Sequence, residues 1–395
     1  MNEEKKLVPK LRFPEFRDAL DWKDTRLGQL GELVSGLTYS PDDVRETGLL
    51  VLRSSNVQNG KIALDDCVYV DPATKGANLS QANDILICVR NGSVALIGKN
   101  ALIPESMPLC THGAFMTVFR SKSAKFAFQL FQSEKYQKQV DGDLGATINS
   151  INGGQFVKYT FAVPQPAEQQ KIADCLSSLD ELIAALARKV DALKTHKKGL
   201  MQQLFPREGE TQPRLRFPEF RDAEEWEVNK LGRICKSIAS GKDKNDLEGT
   251  FDLYGSTGVI GKTSEATFDG TYILVARVGA NAGFLNKVTG KFGVTDNTLI
   301  VDLHTTDQLD FVYCCLDKIG LNKFVFGSGQ PLITGTQLKE LRVSFPFYKE
   351  QQRIADCLTS LDDLITAATQ ELETLKTHKK ALMQQLFPSA EAVEK

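Results

Sequence analysis

Two segments of this 395-residue chain occur twice, while the sequence between them does not repeat. Residues 168–206 (EQQKIADCLSSLDELIAALARKVDALKTHKKGLMQQLFP) return at 350–388, a shift of 182 (350 − 168), with 27 of 39 residues identical. Upstream, residues 9–18 (PKLRFPEFRD) return at 213–222 (PRLRFPEFRD), a shift of 204 (213 − 9), and Trp22 and Leu27-Gly28 follow in register as Trp226 and Leu231-Gly232. The shifts differ, so the enclosed stretches differ in length as well as in sequence. A frame kept twice around two unlike inserts implies one scaffold that presents two separately chosen specificities.

The repeated segment carries its own structural signature. Ile172, Leu176, Leu179, Ile183, Leu186, Val190 and Leu193, then Leu200 and Leu204, alternate steps of four and three, with Lys197 in the one gap. The second copy keeps the stripe as Ile354, Leu358, Leu361, Ile365, Ala368, Leu372, Leu375, Lys379, Leu382 and Leu386. This is a heptad seam suited to knobs-into-holes packing. Neither copy has an internal proline; Pro164 and Pro166 precede the first, and Phe-Pro steps at Pro206 and Pro388 close both. The spacing predicts two helices of about 38 residues, or about 57 Å at about 1.5 Å per residue.

Two equal seams tethered in one chain pair most simply with each other. Antiparallel pairing places the inserts at opposite ends in pseudo-two-fold symmetry, and parallel pairing places them at the same end; a dimerisation coil joining two chains is the plain alternative. The expected fold class is α+β, with two mixed α/β domains separated by two long antiparallel helices. The corresponding segments are 1–164, 165–206, 207–346 and 347–395.

Within the first insert, residues 48–57, 62–70, 85–90 and 115–119 are short Val-, Ile- and Phe-rich runs bounded by turn residues, and the second offers 272–278, 298–301 and 343–345. Helices are expected at 124–140 and 306–319. Ile151-Asn152-Gly153-Gly154-Gln155 matches Ile333-Thr334-Gly335-Thr336-Gln337 at the 182 shift, so the inserts are versions of one domain.

No run of the chain approaches eighteen uncharged apolar residues, and the N-terminus lacks a signal-type hydrophobic core, so a cytoplasmic protein is expected. Eight cysteines form no Cys-x-x-Cys pair and four histidines allow no zinc spacing; reduced, mostly buried thiols and no metal site are expected. The net charge of −2 does not advertise a nucleic-acid binder, and both inserts balance basic and acidic residues almost evenly. DNA contact would require a local patch or surface shared with a partner.

Catalytic motifs are missing. Gly261-Lys262-Thr263 has Ser256 where a phosphate loop needs its first glycine, which leaves an expected plain loop. There is no Asn-Pro-Pro-aromatic tetrapeptide, no Gly-x-Gly-x-x-Gly after a strand, no Gly-x-Ser-x-Gly elbow and no His-Glu-x-x-His pair. His196 and His378 belong to the repeated Thr-His-Lys-Lys run, a solvated basic helix face with a DNA-backbone or subunit contact as the alternative.

The paired Leu-Arg-Phe-Pro-Glu-Phe openings, each followed by Trp, and the paired Glu-Gln-Gln-Lys/Arg-Ile-Ala-x-Cys-Leu-x-Ser-Leu-Asp helices resemble the specificity (S) subunit of type I restriction-modification systems across residues 9–388. The resemblance implies a non-catalytic reader of double-stranded DNA. Each insert would be a target recognition domain for one half of a bipartite site, and the helices a ruler for the unread gap. It also implies docking of two methyltransferase (M) subunits, which use S-adenosylmethionine and flip the target adenine, and of ATP- and Mg-dependent restriction (R) subunits, with no cofactor in this chain and no membrane association. A type IIB specificity subunit, or a coiled-coil scaffold that never touches DNA, are the rival readings.

Sequence readout uses forked or amide side chains on loops, with small residues that let the backbone approach. Candidates in the first insert are Arg53, Ser54, Ser55 and Asn56; Arg90, Asn91 and Ser93; and Thr147 and Asn149. In the second they are Tyr254, Ser256 and Thr257; Arg277 and Asn281; and Ser328 and Gln330. Arg90 and Arg277 end comparable Ile-Leu strands.

Overall fold

The computed structural model describes residues 7–144, 149–326 and 331–388. They form two units, one of Met1–Ala185 with Leu372–Lys395 and the other of Leu186–Glu371. The division cuts both repeated segments in the middle, so each unit holds one insert and half of each long helix. No helix among the described residues is long and apolar enough to cross a membrane.

In the first unit the strands are Lys23–Arg26 (β1), Glu32–Ser35 (β2), Leu49–Leu52 (β3), Val68–Val70 (β4), Ile85–Cys88 (β5), Asn100–Leu102 (β6), Cys110–His112 (β7), Met116–Arg120 (β8) and Thr160–Val163 (β9). The helices include Ala124–Leu130 (α1), Glu134–Asp143 (α2), the short Leu27–Leu30 and Gly153–Phe156, and the first half of Pro166–Leu204 (α3). The main sheet runs β2-β8-β5-β6, antiparallel throughout. A second sheet runs β7-β3-β4 and ends on Val44–Arg45, with β7 parallel to β3. Both β3 and β5 are buried at every position, which is why they read as unbroken apolar runs rather than alternating ones. The 124–140 stretch, expected as one helix, is two. Ser133 interrupts it, its Oγ accepting a bond from the Tyr136 N–H at 3.3 Å, and a capping serine starts a helix more readily than it continues one.

The second unit contains Glu227–Lys230 (β10), Cys235–Ser240 (β11), Phe251–Gly255 (β12), Gly258–Thr263 (β13), Phe268–Ala276 (β14), Leu285–Val294 (β15), Thr298–Leu303 (β16) and Arg342–Phe345 (β17). Its helices include Leu309–Ile319 (α4), the short Leu231–Ile234 and Gly335–Glu340, the second half of α3 and the first half of Tyr348–Leu386 (α5). One sheet runs β11-β16-β14-β15-β12-β13, with β12 parallel to β15. The order β11-β16-β14-β15 repeats β2-β8-β5-β6, so the inserts share a four-stranded core and differ in what is added to it. Gly261-Lys262-Thr263 lies in β13, paired with β12, and is therefore strand rather than the expected loop.

Each long helix has 39 residues. In the first unit Asp180 meets Lys379, and in the second Asp362 meets Lys197. Within the first unit the Leu11–Arg12 segment touches both Glu168 of α3 and Gln385 of α5, so as the index on α3 rises from 168 to 180 that on α5 falls from 385 to 379. Within the second, 350 to 362 on α5 accompanies 203 to 197 on α3, and in each unit the helix halves run antiparallel. The seam is not uniform. Ile172, Leu176 and Leu386 belong to the core of the first unit, and Leu204, Ile354 and Leu358 to that of the second. Leu186, Val190 and Leu372 are also buried, while Leu179, Ile183, Leu193, Leu361, Ile365 and Leu375 are half-buried. The helix ends are thus anchored in the insert domains.

The Leu-Arg-Phe-Pro-Glu-Phe openings make that anchor. Arg12 donates from Nε and Nη2 to both oxygens of Glu168 (2.9 and 2.8 Å), and from Nη1 and Nη2 to the carbonyls of Ala19 and Leu20. Both side chains are buried. The Leu11 N–H donates to Gln385 O in the last turn of α5 (3.0 Å). The second unit repeats this with Arg216 on Glu350 (2.8 and 2.7 Å), Ala223 and Glu224 as carbonyl acceptors, and Leu215 on Gln203 O (2.9 Å). The Glu-Gln-Gln start of each helix follows from these roles. Its glutamate sits in the positive first turn and takes the arginine fork. Its first glutamine caps the preceding strand, Gln169 donating to Pro164 O and Gln351 to Pro346 O.

Candidate nucleic-acid interface

In the first insert, three stretches far apart in sequence converge beyond the ends of β5 and β8. The backbone N–H groups of Val89 and Arg90 both donate to Phe115 O (3.0 and 3.1 Å), which fixes the strand end. Arg90 then bridges to Ser150, Ile151 N donates to Val89 O, and Asn91 N donates to Asn149 O. Side chains complete the junction, with Asn149 Nδ2 donating to Gly92 O (3.3 Å) and Asn91 Nδ2 to Ser54 Oγ (3.1 Å). Arg53–Asn56, Arg90–Ser93 and Asn149–Ser150 therefore form one polar surface, flanked by the exposed ring of Phe115.

Within this surface the side chains have different freedom. Arg90 is exposed and its guanidinium has no hydrogen bond or ion pair among the described residues. Arg53 is held by Asp66 at 2.7 Å, an acidic partner that nothing in the local sequence of the 53–56 stretch announces. Asn91 has both ends engaged, since its Oδ1 accepts from Ser93 N as well. Asn56 is a correction to the reading of these residues as readers. It is fully buried, its Oδ1 accepting from Arg53 N and its Nδ2 donating to Ala63 O and Asp66 O, so it builds the loop and has nothing left to offer a base. Thr147 lies outside the described residues.

The second insert gathers its stretches in the same place on the shared sheet. Arg277 N donates to Asn297 O (2.9 Å), Ser256 Oγ donates to the same carbonyl (2.7 Å), and Ile333 N donates to Arg277 O. Gly279 N donates to Pro331 O, and Val278 bridges to Leu332. The 255–258 turn presents an exposed Thr257, and Gly258 closes it at φ 104°, a conformation that strains any residue with a Cβ. Asn281 is exposed and its side-chain amide has no partner among the described residues. Tyr254 is half-buried, its ring packed edge-on against the buried Phe292 at 5.4 Å. Ser328 and Gln330 lie outside the described residues.

The two arginines singled out by their strands are not equivalent. Met116 faces Cys88 in the first sheet and Thr298 faces Ala276 in the second, so Val89 corresponds to Arg277 and Arg90 to Val278. The bonds from Ile151 and Ile333 confirm this register, ending on Val89 O and Arg277 O. Adjacent residues of an extended chain point to opposite sides. Accordingly Arg90 stands free, whereas Arg277 is half-buried and donates from Nη1 to Asp296 O at 3.2 Å.

Among the described residues no group of three His, Cys, Asp or Glu could hold a metal, and all eight cysteines are free thiols. Burial pushes the thiol of Cys110 up to about 11 and those of Cys235 and Cys314 up to about 12, which keeps them protonated. His112 is fully buried, with Nε2 donating to Val34 O (2.9 Å) and Nδ1 accepting from Ser80 Oγ (3.0 Å); burial lowers its pKa and keeps it neutral. It is a structural histidine. What the arrangement offers is two rigidly backed loop clusters of hydrogen-bonding side chains, one per unit.

The family model described as "Type I restriction modification DNA specificity domain" matches this chain twice, over residues 19–195 and 223–377. The type I restriction enzyme StySPI specificity subunit of Salmonella potsdam is 23% identical over 93% of this chain and 88% of that protein. The EcoprrI specificity subunit of Escherichia coli is 26% identical over 84% of this chain and 81% of its own length. Among solved structures, the type I restriction-modification S subunit from M. genitalium is similar at a TM-score of 0.67 and 18% identity, covering 97% of this chain and 100% of that one.

Proposed function

Because the chain belongs to the family of type I restriction-modification DNA specificity domains, we propose that it is the subunit that gives such a complex its DNA sequence specificity. Each recognition domain reads one half of a bipartite site, and the paired helices set the gap. The observation that carries this reading is the duplication itself: one frame, one four-stranded core and one loop cluster occur in each unit, while the side chains of the two clusters differ.

The chemistry of reading follows from those side chains. A free arginine fork matches the O6 and N7 acceptors of guanine, and an exposed amide such as Asn281 matches the N6 and N7 edge of adenine. Arg90 is the foremost reader in the first domain, with Ser55, Ser93 and Asn149 beside it; Thr257 and Asn281 lead in the second. A chain of net charge −2 supplies little phosphate neutralisation. The partners would provide it: methyltransferase subunits, which carry S-adenosylmethionine and flip the target adenine, and ATP- and Mg-dependent restriction subunits. This chain then contributes no catalytic group.

Exchange of residues 22–164 for the insert of a relative tests the reading. Mapping adenine methylation in the host genome should show one half of the methylated sequence changed, with the other half and the gap intact. A simultaneous change in both halves would overturn it.

A further inference from the structure

Each apolar seam is interrupted once by a lysine, at equivalent positions. Lys197 stands between Leu193 and Leu200, and Lys379 between Leu375 and Leu382. Both are largely covered, their side chains 15% and 12% exposed. Lys197 Nζ donates to both oxygens of Asp362 at 2.7 and 2.8 Å, and Lys379 Nζ to both oxygens of Asp180 at 2.6 and 2.7 Å. Each pair lies within one unit, Asp180 and Lys379 in the first and Lys197 and Asp362 in the second.

Each clasp also reaches its recognition domain. In the first unit Gln129 of α1, itself buried, donates to Asp180 Oδ2 at 3.0 Å. In the second, Asp317 of α4 lies 3.9 Å from Lys197 Nζ. One ammonium–carboxylate pair therefore joins three elements, and this happens twice with different residues supplied by the domain.

Stability is a poor reason for such a design. Replacing a covered ion pair by packed apolar side chains is often neutral or stabilising, whereas a single polar residue in a heptad seam is a well-attested way to fix register. The seam alone tolerates slips of one heptad, about 10.5 Å at about 1.5 Å per residue, which is about three base pairs at about 3.4 Å each. Such a slip would bring Lys379 level with Ala173 or Ala187, and Lys197 level with Ala355 or Thr369. None of these offers a carboxylate.

We propose that Asp180–Lys379 and Lys197–Asp362 are positioning residues that fix the level at which each recognition domain is seated on the paired helices, and thereby the gap length. The inference rests on the half-site reading above. Its test uses the full chain in its host complex. The Lys197→Met, Lys379→Met double variant should keep its fold, because the aspartates it leaves unpaired, Asp362 and Asp180, are 43% and 38% exposed. Its adenine methylation should spread to sites whose gap differs by about three base pairs, the length of one heptad, with at least about a tenfold loss of gap discrimination, and the bases read in each half should not change. Exchanging charges at both clasps (Asp180→Lys with Lys379→Asp, and Asp362→Lys with Lys197→Asp) should restore the single gap, and this decides the matter should the methionine variant lose methylation altogether. An unaltered single gap in an active methionine variant, or failure of the exchanged pairs to restore it, overturns the proposal. A parent chain that yields no two-part methylated sequence would instead refute the half-site reading.

Discussion

The helix anchors and the loop clusters are both duplicated, yet they have diverged in opposite ways. At the anchors, Arg12 with Glu168 and Arg216 with Glu350 agree almost atom for atom, down to the carbonyls that take the spare guanidinium protons. In the clusters the backbone bonds coincide but the side chains do not, since Arg90 occupies the place of Val278 and Arg277 that of Val89. The anchor is a buried charge pair whose geometry admits few substitutes. The cluster is a rigid backbone platform on which side chains can change without disturbing the fold, as a reader of varied sequence requires.

The comparison can be broken most forcefully at the anchors. Arg12→Ala or Arg216→Ala leaves a buried carboxylate unpaired and should cost about 3–5 kcal/mol, read by denaturant unfolding. Arg12→Met with Glu168→Leu should recover much of that loss, and equal damage in single and double variants would show that the pair is not the anchor.

The anchors also differ in one atom. Trp22 Nε1 donates to Glu168 Oε1 at 3.2 Å, whereas the indole N–H of Trp226 is buried without a partner among the described residues. Trp22→Phe should therefore destabilise more than Trp226→Phe, by about 1.5–3 kcal/mol, the scale of a hydrogen bond to a charged group. Equal melting temperatures for the two variants would erase the distinction.

In the clusters the expected effects are on recognition rather than stability. Arg90→Ala should lower methylation dependent on the first half-site by about 10- to 100-fold, corresponding to about 1–3 kcal/mol of base discrimination, with unfolding unchanged. Arg277→Ala should do less, because that guanidinium already donates to Asp296 O. Equal losses at the two arginines would mean that the offset between them has no consequence for reading.

How much of this was legible can be judged residue by residue. The duplication, the seam and its lysine gaps could be read directly, because heptad spacing is a local property of a helix. The strands 85–90 and 298–301 were legible from their apolar runs, whereas the convergence of the Arg53, Arg90 and Asn149 stretches was not, because it rests on contacts between residues far apart in the chain. The burial of Asn56 was not legible, because an amide on a loop has the same composition whether it faces solvent or completes the loop's own hydrogen bonds. The break at Ser133 was concealed because the helical pattern continues across it.

By itself the sequence determined the scaffold, its doubling and the division into constant and variable parts, since these depend on periodicity and on identity between copies. Only the tertiary structure decided which side chains are free. That question turns on partners brought from far along the chain, such as Asp66 for Arg53, Asp296 for Arg277 and Asp180 for Lys379. The one-residue offset between Arg90 and Arg277 belongs to the same class, because strand register is set by pairing across the sheet and not by the strand that carries the residue.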